Sequence, residues 1–290
     1  MKVRRLAVIG LGLIGGSLAR ALREAKVVDE ISAFDPDPRR RERALDLGVA
    51  DRVEDNAADA VRDADVIVLS VPVLHTAEAL RALLPGRRRD AVVTDVGSTK
   101  QSVLADVAAV CEGQVPPWFV AGHPIAGTEK SGVENSSAGL FRGHRVILTP
   151  HPGQDPTARS QVAALWTAAG ARVVEMPPER HDAIFAATSH LPHVLAFSFV
   201  DMLSRMDTQR EIFPNAGGGF RDFTRIASSS PEMWHDIIRA NAPRVTELLE
   251  RQLLDLQELL DAMKQGRWDE LKARFERARA ARESYLGQIE

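Results

Sequence analysis

The residue types best suited to chemistry in this chain lie close together in one segment, residues 121–132 (AGHPIAGTEKSG). The segment contains a histidine, His123, a carboxylate, Glu129, and three glycines. A neutral imidazole can take a proton from a hydroxyl group, and a loop framed by glycine and proline can hold it against a ligand. Glycines also mark ordinary surface turns, where a histidine is simply solvated. The sequence on either side of the segment is needed to distinguish a catalytic loop from a solvated turn.

A second candidate site lies near the start of the chain, where an apolar run at residues 6–9 is followed by GLGLIG at residues 10–15. This is the G-x-G-x-x-G pattern in the context that dinucleotide binding requires, with a strand before it and a helix after it. The three glycines permit a tight turn, close approach of the backbone to a pyrophosphate, and packing of the helix on the strand. The predicted cofactor contacts of this loop are Gly10, Gly12, Leu13, Ile14 and Gly15.

The choice of dinucleotide is predicted from Asp35, which follows a strand at residues 31–34 and lies 20 residues after Gly15. A carboxylate there binds the ribose hydroxyls and repels a 2′-phosphate, which favours NAD over NADP. The arginines at residues 39–41 can either reach a phosphate or begin a solvated helix. A strand at residues 64–71 ends beside the same cofactor, so contacts are also expected from Val71 and Pro72.

Composition excludes several classes of protein. The chain has 290 residues, of which 44% are hydrophobic and 27% charged, which is typical of a globular protein with one large or two ordinary domains. The net charge of −3 gives no electrostatic case for nucleic acid. Cys111 is the only cysteine, which excludes an intrachain disulfide and fits a reducing compartment. No apolar run approaches the roughly 20 residues of a membrane helix, so we expect a cytoplasmic protein without a membrane partner.

Strands and helices alternate as far as residue 177 and then strands cease. Further strands are predicted at residues 91–95, 118–121, 145–149 and 172–176, with helices at residues 39–47, 76–84, 101–110 and 157–169. This alternation predicts an α/β Rossmann-type domain with a doubly wound, mostly parallel sheet over residues 1–177. Residues 178–290 are predicted to form an all-α domain, with helices at 179–203 (interrupted at Pro192), 231–263 and 267–285.

Later motifs carry a resemblance to a known family. These motifs are DVGSTK at 95–100, HPIAGTE at 123–129, SHLPH at 189–193, GGGFRDFTR at 217–225 and PEMW at 231–234. In this order and after the glycine loop, they resemble the prephenate dehydrogenases of tyrosine biosynthesis, over nearly the whole chain. That family oxidises prephenate with NAD to 4-hydroxyphenylpyruvate and carbon dioxide, and some members convert arogenate to tyrosine. The family also exchanges helices across a two-fold axis, so the resemblance implies a homodimer.

The resemblance implies specific roles for residues in these motifs. His123 would be the catalytic base, and Ser98 would orient that histidine and the nicotinamide. Arg225 would anchor the substrate, because its planar fork holds a carboxylate with two hydrogen bonds. The substrate cleft would be completed by His190, His193, Glu129, Asp222 and Trp234. No metal ion is implied.

Simpler interpretations remain open for several of these residues. His190 and His193 share a helix face and could be core histidines, Trp234 could be core, and Asp222 with Arg225 could be a surface ion pair. The other histidines are expected to be structural: His75, His144, His151, His181 and His235. Three other functions compete with the one above: a dehydrogenase that prefers arogenate, another two-domain β-hydroxyacid or imine dehydrogenase, and a non-catalytic dinucleotide-sensing module.

Overall fold

A computed structural model of the chain describes residues 2–128 and 130–286. Glu129, one of the expected substrate residues, lies outside the described residues. The chain forms two compact units, the first ending at Ala242 and the second beginning at Pro243. Each unit is described by itself below.

The strands and helices follow the predicted alternation. The strands are β1 Val3–Ile9, β2 Val28–Phe34, β3 Arg52–Val53, β4 Val66–Leu69, β5 Val92–Asp95, β6 Phe119–Val120, β7 Gly122–Pro124, β8 Arg145–Leu148 and β9 Arg172–Glu175. The helices are α1 Leu13–Glu24, α2 Pro38–Asp46, α3 Ala57–Ala60, α4 Thr76–Leu83, α5 Gln101–Val110, α6 Pro156–Ala168, α7 Pro178–Phe185, α8 Leu191–Ser204, α9 Gln209–Ile212, α10 Gly218–Thr224, α11 Pro231–Ala240, α12 Ala242–Lys264 and α13 Trp268–Leu286.

A six-stranded, entirely parallel sheet with strand order β3-β2-β1-β4-β5-β6 forms the centre of the first unit. Buried aliphatic side chains cover both faces: Leu6 and Val8 join the core on one side of β1, and Ala7 and Ile9 the core on the other. The order of the strands reverses between β1 and β4, and such a switch point is where open parallel sheets bind nucleotides. The predicted α/β Rossmann-type fold class is confirmed.

A small second sheet, β7-β8-β9, holds His123 and refines the prediction of a single strand at residues 118–121. The first strand there ends at Val120, and β7 begins after Ala121, pairing antiparallel with β8. Two interactions redirect the chain. The N–H of Gly122 donates to the carboxylate of Asp95 at 3.0 Å, and His123 lies opposite Ile147 of β8. The histidine therefore sits on a short strand rather than in a loop.

Helices follow the small sheet, with the interruption that was predicted at Pro192 and one break that was not predicted. The helical run 178–204 is irregular before Pro192, because residues 186–190 form a π-helical turn. Proline has no N–H and its ring crowds the carbonyl four residues earlier, so the turn widens there. The prediction of a single helix at 231–263 is wrong. The structure has a break at Asn241, where the backbone leaves helical geometry with φ −116° and ψ 24°.

The run 178–204 is also long and apolar enough to cross a membrane by length and composition, with mean hydropathy 1.4. Such a test is passed equally by core helices of soluble proteins. This run contains the buried polar residues His181, Asp182 and His190, which form hydrogen bonds described below. The observation therefore gives only weak evidence for a membrane span.

The second unit consists of most of α12 and all of α13. An ion pair between Glu258 and Arg274 links the two helices. Several large apolar side chains of this unit are exposed within the chain, among them Leu253 and Phe275, at 58% and 60%. An apolar surface of this kind is typical of an interface with another molecule.

Candidate active site

The glycine loop has the backbone that a bound pyrophosphate needs. Gly10 has φ +100°, and a Cβ there would overlap the carbonyl oxygen of Ser70, so only glycine fits. Gly12 differs, because a Cβ at that position would meet only open space, leaving room for a ligand to approach the backbone. The N-terminus of α1 at Leu13 has no side-chain cap, so its N–H groups and positive dipole end are available to a phosphate.

The other expected cofactor residues border this loop. Ile14 is partly exposed in the first turn of α1, whereas Gly15 is buried against the backbone of the loop. Val71 and Pro72 follow β4, across the switch point from the loop, and both are at least partly exposed. The glycine loop and these two residues thus flank one crevice at the carboxyl ends of β1 and β4.

Asp35 connects the end of β2 to the glycine loop. Its side chain is almost fully buried, and its two carboxylate oxygens accept hydrogen bonds from the N–H groups of Leu11 at 2.9 Å and Asp37 at 3.0 Å. These bonds fix the carboxylate where a Rossmann fold holds the adenosine ribose. The carboxylate therefore lies beside the glycine loop, and its contact with a ribose stays a prediction.

The three arginines after Asp35 are each placed beside a carboxylate or carbonyl. Arg39 donates to Asp37 at 3.2 Å, and Arg41 donates to the carbonyl of Asp35 at 2.9 Å. Arg40 lies 3.7 Å from the carboxylate of Asp35 and is otherwise exposed. Arg39 and Arg40 are therefore exposed near the start of α2, whereas the Arg41 side chain is mostly buried.

His123 is the first ring in a chain of three hydrogen-bonded side chains. Its Nδ1 lies 2.8 Å from Nε2 of His181, and Nδ1 of His181 lies 2.8 Å from the carboxylate of Asp182. Phe185 packs edge-on against the His123 ring, with centroids 5.0 Å apart. Of the five histidines expected to be structural, His181 is therefore one that contacts the proposed base directly.

The far end of this chain is a buried carboxylate held by backbone. The carboxylate of Asp182 accepts hydrogen bonds from the N–H groups of Lys100 at 2.8 Å and Gln101 at 2.9 Å, at the start of α5. Burial would raise the pKa of Asp182, but the bonds from His181 and from these two N–H groups outweigh it, so its pKa lies below its usual range. Asp182 is therefore ionised and can only accept hydrogen bonds.

The ionised carboxylate fixes the tautomers of both histidines. Burial lowers the pKa of His181, opposed by its hydrogen bond to Asp182, so the ring is neutral and its single proton lies on Nδ1. Its Nε2 must then accept a hydrogen bond from Nδ1–H of His123. Burial, together with the neighbouring His181 and Lys100, holds the pKa of His123 well below its usual value. His123 therefore carries a lone pair on Nε2, where no hydrogen bond to a described residue occupies it.

A buried ion pair supports the strand that carries His123. Lys100 is fully buried, and its ammonium contacts the carboxylate of Asp95 and donates to the carbonyl of Gly122 at 2.6 Å. Burial lowers the pKa of Lys100, and Asp95 opposes that shift. The other carboxylate oxygen of Asp95 accepts from the N–H of Gly122. The pair therefore holds both polar backbone groups of the residue before His123.

His190 is buried at the end of the π-helical turn. The side-chain amide of Asn241 donates to the carbonyl of Asp182 at 2.9 Å and lies 3.1 Å from Nδ1 of His190. Because a carbonyl can only accept, the amide nitrogen faces both groups and His190 accepts at Nδ1. Burial lowers the pKa of His190 to about 4, so the ring is neutral and presents Nε2–H as a donor.

His193 presents a hydrogen-bond acceptor at Nε2, where His190 presents a donor. Its Nδ1 lies 2.8 Å from the carbonyl of Ser189, so Nδ1 donates and Nε2 carries the lone pair. Its ring stacks on Trp234, with centroids 3.4 Å apart and an interplanar angle of 18°. Trp234 is buried and packs with Val73, which follows β4. This contact joins α11 to the nucleotide-binding sheet.

The remaining expected site residues are placed less tightly. Ser98 is partly exposed beside the buried Asp95 and Lys100, and no hydrogen bond among the described residues joins it to His123. Asp222 and Arg225 are exposed, in α10 and in the 3-10 turn that follows it. Within residues 2–128 and 130–286, no group of three or more His, Cys, Asp or Glu side chains is arranged to hold a metal ion.

Sequence reasoning assigned no functional role to four buried polar residues of this site: Lys100, which ends the DVGSTK motif, His181, Asp182 and Asn241. A signal existed for two of them, because adjacent histidine and aspartate at the start of an apolar helical run place two polar groups where burial is expected. Asn241 had no comparable signal. It lies within a helical pattern and becomes visible only when the helix breaks.

The fold and the glycine loop together define a nucleotide-binding protein of the Rossmann type, with His123 as a candidate base. Two family models cover most of the chain, prephenate dehydrogenase, nucleotide-binding domain, at residues 18–175 and prephenate dehydrogenase, dimerization domain, at residues 177–277. The chain belongs to the prephenate dehydrogenase family.

Individual relatives agree with this assignment. A cyclohexadienyl dehydrogenase of Zymomonas mobilis is 37% identical, over 96% of this chain and 95% of its own length. The crystal structure of prephenate dehydrogenase from Aquifex aeolicus, in complex with hydroxyphenyl propionate and NAD+, matches with a TM-score of 0.89 and 36% identity, covering 97% of this chain and 98% of that one. A Synechocystis arogenate dehydrogenase structure matches with a TM-score of 0.79 and 25% identity, covering 97% and 99% of the two chains.

Proposed function

We propose that this protein is an NAD-dependent prephenate dehydrogenase, which converts prephenate to 4-hydroxyphenylpyruvate and carbon dioxide in tyrosine biosynthesis. The observation that carries the proposal is a neutral His123 whose Nε2 is free to accept a proton, in the same unit as the glycine loop. Family membership and the NAD+ complex of the Aquifex aeolicus enzyme support the choice of reaction and cofactor.

The reaction takes place at one ring carbon, which carries a hydroxyl group and a hydrogen. The hydroxyl group must lose its proton, and the hydrogen must leave as hydride. NAD+ accepts the hydride when it is bound. His123 takes the proton from the hydroxyl at Nε2, which supplies electron density to the departing hydride. Loss of carbon dioxide then makes the ring aromatic. The electrons of the broken C–C bond move to the oxygen attached to the ring, which was the hydroxyl oxygen of the substrate. That oxygen is reprotonated, so the protein consumes no proton over the cycle.

The substrate is a dicarboxylate, and the proposed cleft offers both charge and hydrogen-bond donors. We assign the anchoring of a carboxylate to Arg225, whose planar fork matches it. The Nε2–H of His190 can donate to a substrate oxygen, and Nε2 of His193 can accept. Ser98, Glu129, Asp222 and Trp234 keep the roles in orienting or lining the cleft that the family resemblance implies.

Arogenate is the alternative substrate, favoured by the likeness to the Synechocystis arogenate dehydrogenase. The two compounds differ in carrying a keto group or an ammonium group on the side chain. NADH formation, followed with prephenate and arogenate side by side, tests the proposal. A higher kcat/KM for prephenate is expected. A preference for arogenate would select the alternative, and no NADH with either compound would contradict the proposed function.

We further infer that the enzyme acts as a cytoplasmic homodimer. The match of residues 177–277 to a dimerization domain and the exposed apolar side chains of the second unit support the dimer. A single cysteine in 290 residues fits the reducing cytoplasm. The substrate and dimerisation domain is proposed to begin at residue 178, after a nucleotide-binding domain at residues 1–177.

A further inference from the structure

We propose that His181 and Asp182 form a positioning dyad that receives, through His123, the proton taken from the substrate and holds it until the ring becomes aromatic. This inference rests on the proposed function, since it extends the role of His123 as base. It concerns two residues that no motif of the family resemblance singled out.

The geometry provides a continuous path for one proton. Nδ1 of His123 and Nε2 of His181 are 2.8 Å apart, and Nδ1 of His181 is 2.8 Å from the carboxylate of Asp182. Both distances are those of good hydrogen bonds. His181 and Asp182 are almost fully buried, at 0% and 1% exposure, so solvent does not compete for the bonds.

Two proton movements, from the substrate to His123 and from His123 to His181, occur together, and no proton is gained or lost. Nε2 of His123 gains the hydroxyl proton as the O–H bond breaks, while its Nδ1–H passes to Nε2 of His181. His123 is then neutral again, and His181 is an imidazolium that faces the ionised Asp182. When the ring oxygen regains electrons on decarboxylation, the same movements run in reverse and return the proton to that oxygen.

The surrounding charges favour a proton on His181 over one on His123. Burial lowers the pKa of His123, and the nearby Lys100 ammonium disfavours a positive charge on it further. His181 faces the same ammonium, but it also bonds to Asp182 and lies near Asp95. A buried cation beside a carboxylate is stabilised, whereas an isolated one is costly. The proton therefore rests one ring away from the substrate.

The test separates holding a proton from merely orienting the base. In His181→Gln, the side-chain amide oxygen can still accept from Nδ1 of His123, but the amide cannot take up a proton. If the dyad holds the proton, His181→Gln should lower kcat by roughly ten- to a hundred-fold, with KM and NAD binding little changed. Turnover of His181→Gln equal to that of the wild type would overturn the proposal.

The chain contains a matched control. His235 and Asp236 are also adjacent, with Nδ1 and the carboxylate 3.0 Å apart, but the His235 side chain is 66% exposed. His235→Gln should keep kcat and its pH profile. In Asp182→Asn, the acid limb of the kcat profile should move to lower pH, because the dyad loses the carboxylate that stabilises its proton. An unshifted acid limb in a folded Asp182→Asn protein would count against the dyad.

A measurement without substrate separates this inference from the proposed function. Imidazole nitrogen NMR on the full-length protein should show the first proton added to the pair on His181, with His123 remaining neutral. Protonation of His123 first would overturn the dyad, even if prephenate is oxidised. Failure of the wild type to oxidise prephenate would contradict the proposed function alone. His123→Asn should abolish most turnover whichever way the dyad result falls.

Discussion

Three histidines of the candidate site look alike in sequence but have different chemistry, because each is set by its second hydrogen bond. His123 and His193 present a lone pair on Nε2, since Nδ1 of each donates to His181 and to a backbone carbonyl respectively. His190 presents a proton, since Asn241 donates to its Nδ1. A candidate base, a hydrogen-bond acceptor and a hydrogen-bond donor thus arise from one residue type. Sequence spacing could locate these rings but not their tautomers.

Recognition of the substrate can be separated from chemistry at Arg225. Replacing it with alanine should leave a substrate carboxylate unpaired and cost about 2–5 kcal/mol of binding. KM should therefore rise steeply while kcat falls less, and Arg225→Lys should lose less because it keeps the charge without the fork. Steady-state kinetics and NAD titration check this. Loss of kcat with an unchanged KM would remove Arg225 from the anchoring role.

Preference for NAD is predicted to depend on the carboxylate of Asp35. Asp35→Ser removes the charge that repels a 2′-phosphate, so the ratio of kcat/KM for NAD to that for NADP should narrow. Asp46→Ser is a suitable control, because Asp46 is an exposed carboxylate at the far end of α2. An unchanged ratio in Asp35→Ser, or a wild type that uses NADP equally well, would assign the selection to residues 39–41.

Among the secondary-structure elements, the sequence predicted the regular strands and helices and the interruption at Pro192, but it missed the break at Asn241. The alternating strands and helices of residues 1–177 were predicted because each has a regular apolar pattern. The π-helical turn follows from Pro192, whereas the helix break at Asn241 accompanies side-chain bonds to distant residues, which leave no period in the sequence. The same reason explains the site. His123 stands in a motif, whereas the roles proposed for His181 and Asp182 depend on the packing of α7 beside β7 and α5.

Asn241, at the end of α11, connects that helix to α7 and to the π-helical turn. Asn241 is buried and bonds both to the carbonyl of Asp182 in α7 and to His190. Asn241→Ala leaves both buried acceptors without a donor, which should lower the free energy of unfolding by about 1–3 kcal/mol. Urea denaturation measures this change. Stability within experimental error of the wild type would show that water or a neighbouring group replaces the amide.

Acid should weaken the same helices through His190. Its pKa is about 4 in the folded chain and 6.5 ordinarily, so between these values the unfolded chain binds a proton that the folded chain does not. The free energy of unfolding should therefore fall as pH drops through that window, by up to about 3 kcal/mol from this residue. His190→Gln should show a smaller fall between neutral pH and about pH 4.5 in urea titrations. An equal fall in both proteins would place the effect elsewhere.

The second unit exposes large apolar side chains that would remain in water if the protein were a monomer. On α12, Leu253, Leu256, Leu260 and Met263 recur at spacings of three and four and are each more than 40% exposed. Such a stripe forms one helix face. The second unit is small, and large exposed apolar faces are typical of obligate interfaces. The structure of one chain therefore predicts a second chain.

Sedimentation provides the test of this assembly. We expect a stable dimer at low micromolar concentration. Burying the stripe in an interface stabilises the dimer by about 25 cal/mol for each Å² of apolar surface that is removed from water. Leu253→Glu with Leu260→Glu places two charges on the stripe and should shift the protein towards monomer or aggregate, with loss of thermal stability. Asp255→Lys changes an exposed residue off the stripe of the same helix and should leave the dimer intact. A wild type that sediments as a stable, active monomer would contradict the dimer. A double variant that still dimerises would assign the interface to another face.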